Sequence, residues 1–160
     1  AQRTRPSFGW WVEQGWTTSS EYWEGAGSRN HPMFGGGLAW YYRRLAGLET
    51  DETAAGYRRL VVHPHPAGDA TRASYATRTP YGEVAVAWTR TDGTFELKVV
   101  VPVGATARVM IPFASATRVL ESGKPLALAD GVAVVGNTRN DLALEVGSGC
   151  YAFAVQNSGR

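Results

Sequence analysis

The chain has little of what several classes of protein require. Its 160 residues include a single cysteine, Cys150, so cysteines can form neither a disulfide framework within the chain nor a structural zinc site. No apolar run approaches the roughly 20 residues that span a bilayer, and we expect no membrane partner. The 16 basic and 14 acidic residues are spread along the chain without a stripe of Lys and Arg. Nucleic acid is therefore not an expected partner.

The residues that are present change in character after the first third of the chain. With 44% hydrophobic and 19% charged residues, the whole has the composition of a folded globular protein. Beyond about Thr50 the chain is rich in Val, Thr and Ala, with Gly, Pro and Asp between the apolar runs. This shift predicts a boundary between Glu49 and Tyr57. Five of the six tryptophans precede it: Trp10, Trp11, Trp16, Trp23 and Trp40.

The first part of the chain has apolar residues at helical spacing. From Phe34 to Leu48 they recur at intervals of four, three, four and three residues, which predicts one helix. Arg43 and Arg44 lie in its predicted last turn, and Gly47 is a suitable cap. A shorter helix is predicted over residues 6–13. Two helices cannot bury so many tryptophans by themselves, so we expect further helices from another chain or from an upstream segment.

The second part predicts short strands separated by turns. The strongest indication is a hairpin whose strands, Glu83–Thr91 and Thr94–Val101, flank the Asp92-Gly93 turn. The register set by this turn pairs only apolar residues: Trp88 with Leu97, Val86 with Val99, and Val84 with Val101. Turn chemistry and hydrophobic alternation therefore agree.

Further strands complete the predicted second part. About nine short strands at regular spacing favour an antiparallel β-sandwich. Besides the hairpin they cover residues 59–62, 71–77, 106–111, 117–121, 132–135, 142–146 and 151–155.

The densest group of chemically useful side chains lies in residues 13–35. A sugar pocket needs aromatic plates for the faces of the sugar ring, with carboxylates, amides or imidazoles for its hydroxyls. This stretch contains all of them. A carboxylate beside apolar rings also tends to hold its proton more tightly, which glycosidases use. Glu21 is one of its carboxylates, and Trp16, Trp23, Asn30 and His31 are its candidate substrate-binding residues.

Structural alternatives exist for the same residues. Thr18–Glu21 fits a capping box that would only begin a helix. Tryptophans in a helical region are more often core residues than sugar platforms, and His31 could simply hydrogen-bond a loop. His63 and His65 alternate with prolines and lack a third metal ligand. We therefore expect no metal and no cofactor.

Several short motifs resemble, in the same order, those of the bacterial α-L-rhamnosidases. Residues 6–10 resemble that family's Pro-Ser-Trp-Gly-Tyr segment, residues 15–23 its Gly-Ala-Thr-Thr-x-Trp-Glu-Arg-Trp segment, and residues 28–35 its Ser-x-Asn-His-x-x-Phe-Gly segment. Beyond them, residues 46–48, 80–82, 121–126 and 144–149 look like segments of the family's sandwich. The resemblance extends over nearly the whole chain, and ordered agreement over several motifs is more specific than any single motif.

The resemblance implies an α+β fold and a hydrolytic function. Residues 1–50 would be the terminal helices of an (α/α) catalytic barrel, and residues 57–157 the antiparallel β-sandwich that follows it. The chain would be the carboxy-terminal portion of a glycoside hydrolase that cleaves terminal α-L-rhamnosyl linkages by inversion. Glu21 matches the family's general base, and His31 matches a histidine of the sugar subsite. The family's Trp before the glutamate and Arg after it are Ser20 and Tyr22 here, so substrate preference could differ.

The resemblance also implies that the chain acts with further polypeptide. The family's general acid lies far upstream in the barrel, and neither Glu13 nor Glu24 matches its motif. We therefore expect a missing amino-terminal barrel segment, supplied by a companion chain or by the same precursor, and an inactive chain without it. The expected substrate is a rhamnosyl-containing oligosaccharide or glycoside. The alternative is a non-catalytic carbohydrate-binding or structural accessory module.

Overall fold

A computed structural model describes residues 4–91, 93–138 and 140–156. The chain divides into two compact units, Ala1–Trp40 and Tyr41–Arg160. Every described strand belongs to the second unit. No helix in the described ranges is both long and apolar enough to cross a membrane.

The first unit begins with the short helix α1 (Phe8–Glu13). Its N-cap is Ser7, whose Oγ accepts a hydrogen bond from the Trp10 N–H at 3.0 Å. The helix ends before Gly15, which has a φ of +70°. The helix expected over residues 6–13 is therefore confirmed, with a serine cap in place of the expected proline start.

The helix predicted from Phe34 to Leu48 is confirmed only in part, because residues 34–46 are helical but do not form a single α-helix. A 3₁₀ helix, Pro32–Leu38, lies in the first unit, and a π-helix, Tyr41–Ala46, begins the second. The described residues of the first unit thus form one six-residue α-helix and one 3₁₀ helix, and they do not show the expected barrel helices. Three consecutive glycines at 35–37 explain part of the difference, because glycine disfavours the interior of an α-helix.

The end of the π-helix follows the prediction. Arg43 and Arg44 occupy its last turn, and Gly47 caps it with a φ of +87°. The Gly47 N–H donates to the carbonyl oxygen of Tyr42 at 3.0 Å, an i to i+5 hydrogen bond of the π type. Leu48 then starts a strand instead of extending the helix.

The second unit is built from two sheets. Their strands are β1 (Leu48–Thr50), β2 (Arg59–Val62), β3 (Arg72–Thr79), β4 (Gly82–Thr91), β5 (Thr94–Val101), β6 (Thr106–Pro112), β7 (Val119–Glu121), β8 (Lys124–Pro125), β9 (Val132–Asn137), β10 (Asp141–Val146) and β11 (Gly149–Gln156). The first sheet has strand order β1-β2-β6-β10-β9 and the second β3-β4-β5-β11-β7-β8. All nine predicted strands are present, and two very short strands, β1 and β8, are additional.

The predicted hairpin register is confirmed between β4 and β5. Trp88 pairs with Leu97 and Val86 with Val99, and the ladder extends to Thr91 opposite Thr94. At its other end the described register stops at Ala85 and Val100, one position before the third predicted pair. Asp92 of the predicted turn lies outside the described residues.

One strand pair departs from the expected antiparallel arrangement. Strand β2 runs parallel to β6. The chain leaves the first sheet after β2, forms β3, β4 and β5 in the second sheet, and only then returns as β6. Such a long crossover allows two neighbouring strands to run in the same direction.

The core lies between the two sheets. The first sheet contributes buried residues from β2, β6 and β10, and the second contributes residues from β4, β5 and β11. Alternate positions of β4 are buried, which is the pattern of a strand with one face on a core. The largest core residues that are less than 2% exposed are Trp88, Phe153, Leu60, Leu97, Ile111, Leu142 and Leu144.

Candidate functional site

A hydrogen-bonded loop in the first unit brings Glu21 and His31 together. The Glu21 N–H donates to the carbonyl oxygen of Ser28 at 2.8 Å, and the His31 N–H donates to that of Ser19 at 3.0 Å. Residues 19–21 and 28–31 therefore lie side by side. No helix begins at Thr18–Glu21, so the capping-box alternative is wrong.

The carboxylate of Glu21 is held by the backbone of this loop. Its Oε2 accepts a hydrogen bond from the Ser28 N–H at 3.0 Å. The Nδ1 atom of His31 lies 4.0 Å from the same oxygen, too far for a hydrogen bond. The side chain of Glu21 is 34% exposed and that of His31 is 36% exposed. The carboxylate is thus fixed in position while it remains open to solvent.

Two buried polar atoms next to Glu21 have no hydrogen-bond partner. They are Ser20 Oγ and His31 Nδ1, and among the described residues they are the only buried side-chain nitrogen or oxygen atoms in this state. Ser20 as a whole is 1% exposed. Buried polar groups in folded proteins nearly always have partners, so unpaired ones need an explanation. Both lie on the residues that flank the carboxylate in sequence or in space.

An aromatic cluster occupies the same unit. It comprises Phe8, Trp10, Trp11, Trp16 and Trp23. The buried Trp11 donates its Nε1–H to the Trp23 carbonyl oxygen at 2.9 Å, and the two rings lie 4.8 Å apart. The Trp16 ring lies 5.4 Å from that of Trp10. Trp16 and Trp23 are half-buried here, a position compatible with packing and with a partly exposed sugar platform. Their role in substrate binding stays a prediction.

The remaining polar residues of the segment lie at its surface. Asn30 is exposed, and its N–H donates to Ser28 Oγ at 3.2 Å. The guanidinium of Arg29 lies 5.1 Å from the centre of the Trp16 ring. Glu24 forms an ion pair with Arg5 at 3.7 Å, and both side chains are more than half exposed. Sequence reasoning missed Ser28, because a backbone N–H leaves no signal in side-chain patterns.

The histidines of the sandwich form a separate cluster. His63 follows β2, and its Nε2 lies 3.1 Å from Asp141 Oδ2 at the start of β10. The ring of His65 lies 4.1 Å from that of His63. Burial lowers the pKa of His63, and His65 lowers it further, while the Asp141 hydrogen bond acts in the opposite direction. In the ranges that the structure covers, no group of three or more His, Cys, Asp or Glu side chains could hold a metal.

The only tryptophan of the sandwich is in its interior. Trp88 on β4 is 1% exposed. Its Nε1–H donates to the carbonyl oxygen of Leu45 at 2.7 Å. It therefore cannot serve as a surface platform for carbohydrate.

Comparison with known proteins identifies the family. Residues 47–124 match the bacterial alpha-L-rhamnosidase C-terminal domain. The chain belongs to the bacterial α-L-rhamnosidase family. It is 34% identical to an α-L-rhamnosidase of Streptomyces avermitilis over 166 residues, which cover 96% of this chain and 15% of that protein. As a rhamnosidase homologue, it thus spans less than a fifth of the length of that relative.

Solved rhamnosidase structures resemble the chain closely. The α-L-rhamnosidase from Dictyoglumus thermophilum superposes with a TM-score of 0.84 at 34% identity, covering 98% of this chain and 18% of that one. The Streptomyces avermitilis α-L-rhamnosidase complexed with L-rhamnose superposes with a TM-score of 0.83 at 31% identity, covering 97% and 15%. Because so much of this chain is covered, the similarity to rhamnosidases includes the Glu21 segment as well as the sandwich.

Proposed function

We propose that this chain supplies the general base, Glu21, of an α-L-rhamnosidase that hydrolyses terminal α-L-rhamnosyl linkages with inversion. The observation that carries the proposal is the Glu21 carboxylate, which the Ser28 N–H fixes at 3.0 Å while it remains 34% exposed. In this proposal residues 1–50 close an (α/α) catalytic barrel, and residues 57–157 form the sandwich after it. Membership of the rhamnosidase family supports the substrate class.

The role of Glu21 follows from the chemistry of inversion. A carboxylate on one side of the sugar removes a proton from water as that water attacks the anomeric carbon, while an acid on the other side protonates the leaving oxygen. The two groups stand about 6.5–9.5 Å apart to leave room for the water. Glu21 suits the first task because one of its oxygens is anchored and the side chain is still open to solvent. The acid comes from polypeptide outside this chain, either a companion chain or another part of the same precursor.

Substrate binding is assigned to residues around the carboxylate. The His31 side chain is 36% exposed, so its imidazole can form a hydrogen bond with a sugar hydroxyl. Asn30 offers an exposed amide beside it, and the half-buried rings of Trp16 and Trp23 offer apolar surface for the sugar. The similar Streptomyces avermitilis α-L-rhamnosidase has been solved in complex with L-rhamnose, which supports a rhamnosyl ligand for the assembled enzyme.

The test is a pair of glutamate variants in the assembly that contains the rest of the barrel. Glu21→Gln preserves the shape of the side chain but cannot accept the proton, so turnover of a chromogenic α-L-rhamnoside should fall by about 10²–10⁴-fold. Glu24→Gln is the matched control, because Glu24 is exposed and pairs only weakly with Arg5. It should retain turnover within a factor of two or so. Equal activity in both variants would remove Glu21 from the role of base.

Stereochemistry tests the proposed class of mechanism. Proton NMR of the first sugar released distinguishes the two anomers before they equilibrate. Inversion predicts β-L-rhamnose as the first product of an α-L-rhamnoside. Initial release of the α-anomer would indicate a covalent intermediate, for which Glu21 would need a different role.

A further inference from the structure

Gly27 is packed against the carboxylate of Glu21. A Cβ atom built on Gly27 would overlap Glu21 Oε2, and it would lie 3.1 Å from Glu21 Cδ and 3.2 Å from Glu21 Cβ. Real Cβ atoms essentially never come as close to another atom as this one would come to Oε2, and the two contacts with carbon atoms would be tight. The φ of Gly27 is +74°, a backbone conformation that glycine adopts without steric cost. The backbone at Gly27 therefore lies so close to Glu21 that no residue with a side chain fits there without displacing the Glu21 carboxylate.

The Cβ atom added at Gly27 would overlap the end of the Glu21 side chain, which is free to rotate. The end of a glutamate side chain rotates at little cost, whereas backbone atoms would resist. A methyl group at position 27 would therefore displace Oε2 from its 3.0 Å hydrogen bond with the Ser28 N–H more readily than it would unfold the loop. Such a substitution would therefore shift the Glu21 carboxylate and would affect the fold much less.

We propose that Gly27 is a positioning residue for the general base. Its missing side chain leaves the space in which the Glu21 carboxylate lies against the Ser28 N–H. This inference rests on the proposed role of Glu21. It goes further by assigning a function to a residue that has no side chain. Misplacing a reacting group by about 1 Å can cost on the order of 10²-fold in rate.

The chain offers a matched control for the backbone. Gly15 has nearly the same φ, +70°, and lies in the same unit, but a Cβ added there meets no atom within 4 Å. Gly15→Ala and Gly27→Ala therefore carry a similar backbone strain, and only Gly27→Ala displaces the carboxylate. In the barrel-containing enzyme, Gly27→Ala should lower kcat about 10–10²-fold with KM within about twofold of the parent. Gly15→Ala should leave kcat within about twofold.

A third variant, Gly27→Asn, separates the effect of the added Cβ atom from the effect of backbone strain. Asparagine tolerates positive φ better than other residues with a side chain. Gly27→Asn should therefore fold at least as well as Gly27→Ala and should lose kcat to a similar degree. Parental kcat in Gly27→Asn, or equal losses in Gly27→Ala and Gly15→Ala, would overturn the proposal.

A double-mutant cycle shows whether Gly27 acts through Glu21. If it does, adding Gly27→Ala to Glu21→Gln should cost no further activity, since the base is already lost. An additional loss of the same size as in the parent would overturn the positioning role while leaving Glu21 as the base. Full turnover in Glu21→Gln alone would overturn the base assignment itself, and this inference with it.

Discussion

The indole nitrogen of Trp88 donates a hydrogen bond to the carbonyl oxygen of Leu45 at 2.7 Å. Leu45 lies in the last turn of the π-helix, and Trp88 lies at 1% exposure in the middle of β4. The bond satisfies a carbonyl at a helix end, where groups lack partners within the helix. It also fastens the start of the second unit to its sandwich core, against which Leu45 packs.

Replacing Trp88 by Phe should destabilise the second unit. The variant loses the hydrogen bond, leaves the Leu45 carbonyl without its partner and opens a cavity in the core. The expected loss is about 2–3 kcal/mol in the free energy of unfolding. Urea denaturation followed by circular dichroism in the strand region measures it. Val103→Ala, at an exposed position, should cost less than about 0.5 kcal/mol. A loss as small for Trp88→Phe would contradict the anchoring role.

Gly47 should tolerate no side chain. A Cβ there would overlap backbone atoms of His63 and Pro64, which cannot rotate away, and its φ of +87° adds strain. Gly47→Ala should cost more than about 2 kcal/mol in the free energy of unfolding. Gly56, with a φ of +69° and open space around it, supplies the control: Gly56→Ala should cost only about 1 kcal/mol. Equal losses of stability in Gly47→Ala and Gly56→Ala would show that the close contact of Gly47 with His63 and Pro64 does not affect stability.

The pKa of His63 predicts a dependence of stability on pH. Burial is the main cause that lowers this pKa, so the folded state favours the neutral imidazole. As pH falls through 6.5, the ordinary pKa of histidine, the unfolded chain binds a proton before the folded chain does, and the free energy of unfolding decreases. The contribution is present above that pH and is lost as pH falls through the lower pKa of the folded state.

The variant His63→Gln isolates this contribution from the other titrating groups around it. His65, Asp141 and Arg44 all affect His63 and remain in the variant. Urea denaturation at several pH values between about 5 and 8 should show a smaller decrease for His63→Gln than for the parent. Parallel curves would mean that His63 does not contribute to the dependence.

Replacing Phe113 by glycine should give a more stable protein than replacing it by alanine. Its φ is +59°, the residue is 61% exposed, and the Arg118 Nη2 donates to its carbonyl oxygen at 2.9 Å. Alanine in this conformation costs about 1 kcal/mol or more, whereas glycine adopts it freely. Thermal unfolding of Phe113→Gly and Phe113→Ala measures the difference. The same two substitutions at Val103, where φ is not positive, should favour alanine. A Phe113→Ala variant as stable as Phe113→Gly would contradict the strain.

Most of the sandwich could be predicted because two independent patterns agree in it. Hydrophobic alternation on β4 and β5 and the turn between them specify the same register, and the pairs of Trp88 and Val86 follow from it. Strands β1 and β8, of three and two residues, are too short to carry a pattern. The parallel pairing of β2 with β6 depends on a crossover between sheets that no local pattern encodes.

The first unit was harder to predict for a different reason. Apolar spacing of three and four residues does not distinguish α, 3₁₀ and π geometry, and the glycines at 35–37 weaken the α form. The candidate residues Glu21 and His31 were found from residue type and resemblance. Hydrogen bonds with the backbone of Ser28 hold the loop around Glu21 together. Side-chain patterns in the sequence do not predict such bonds.

The assignment of Glu21 as the residue that activates water is tested most directly by chemical rescue. Glu21→Ala in the barrel-containing enzyme removes the base and leaves space for a small anion such as azide, which can attack without a base. With a nitrophenyl α-L-rhamnoside, release of nitrophenol should fall by about 10²–10⁴-fold and should rise again with azide, yielding β-L-rhamnosyl azide. Hydrolysis by Glu21→Ala at the parental rate without azide would contradict the account.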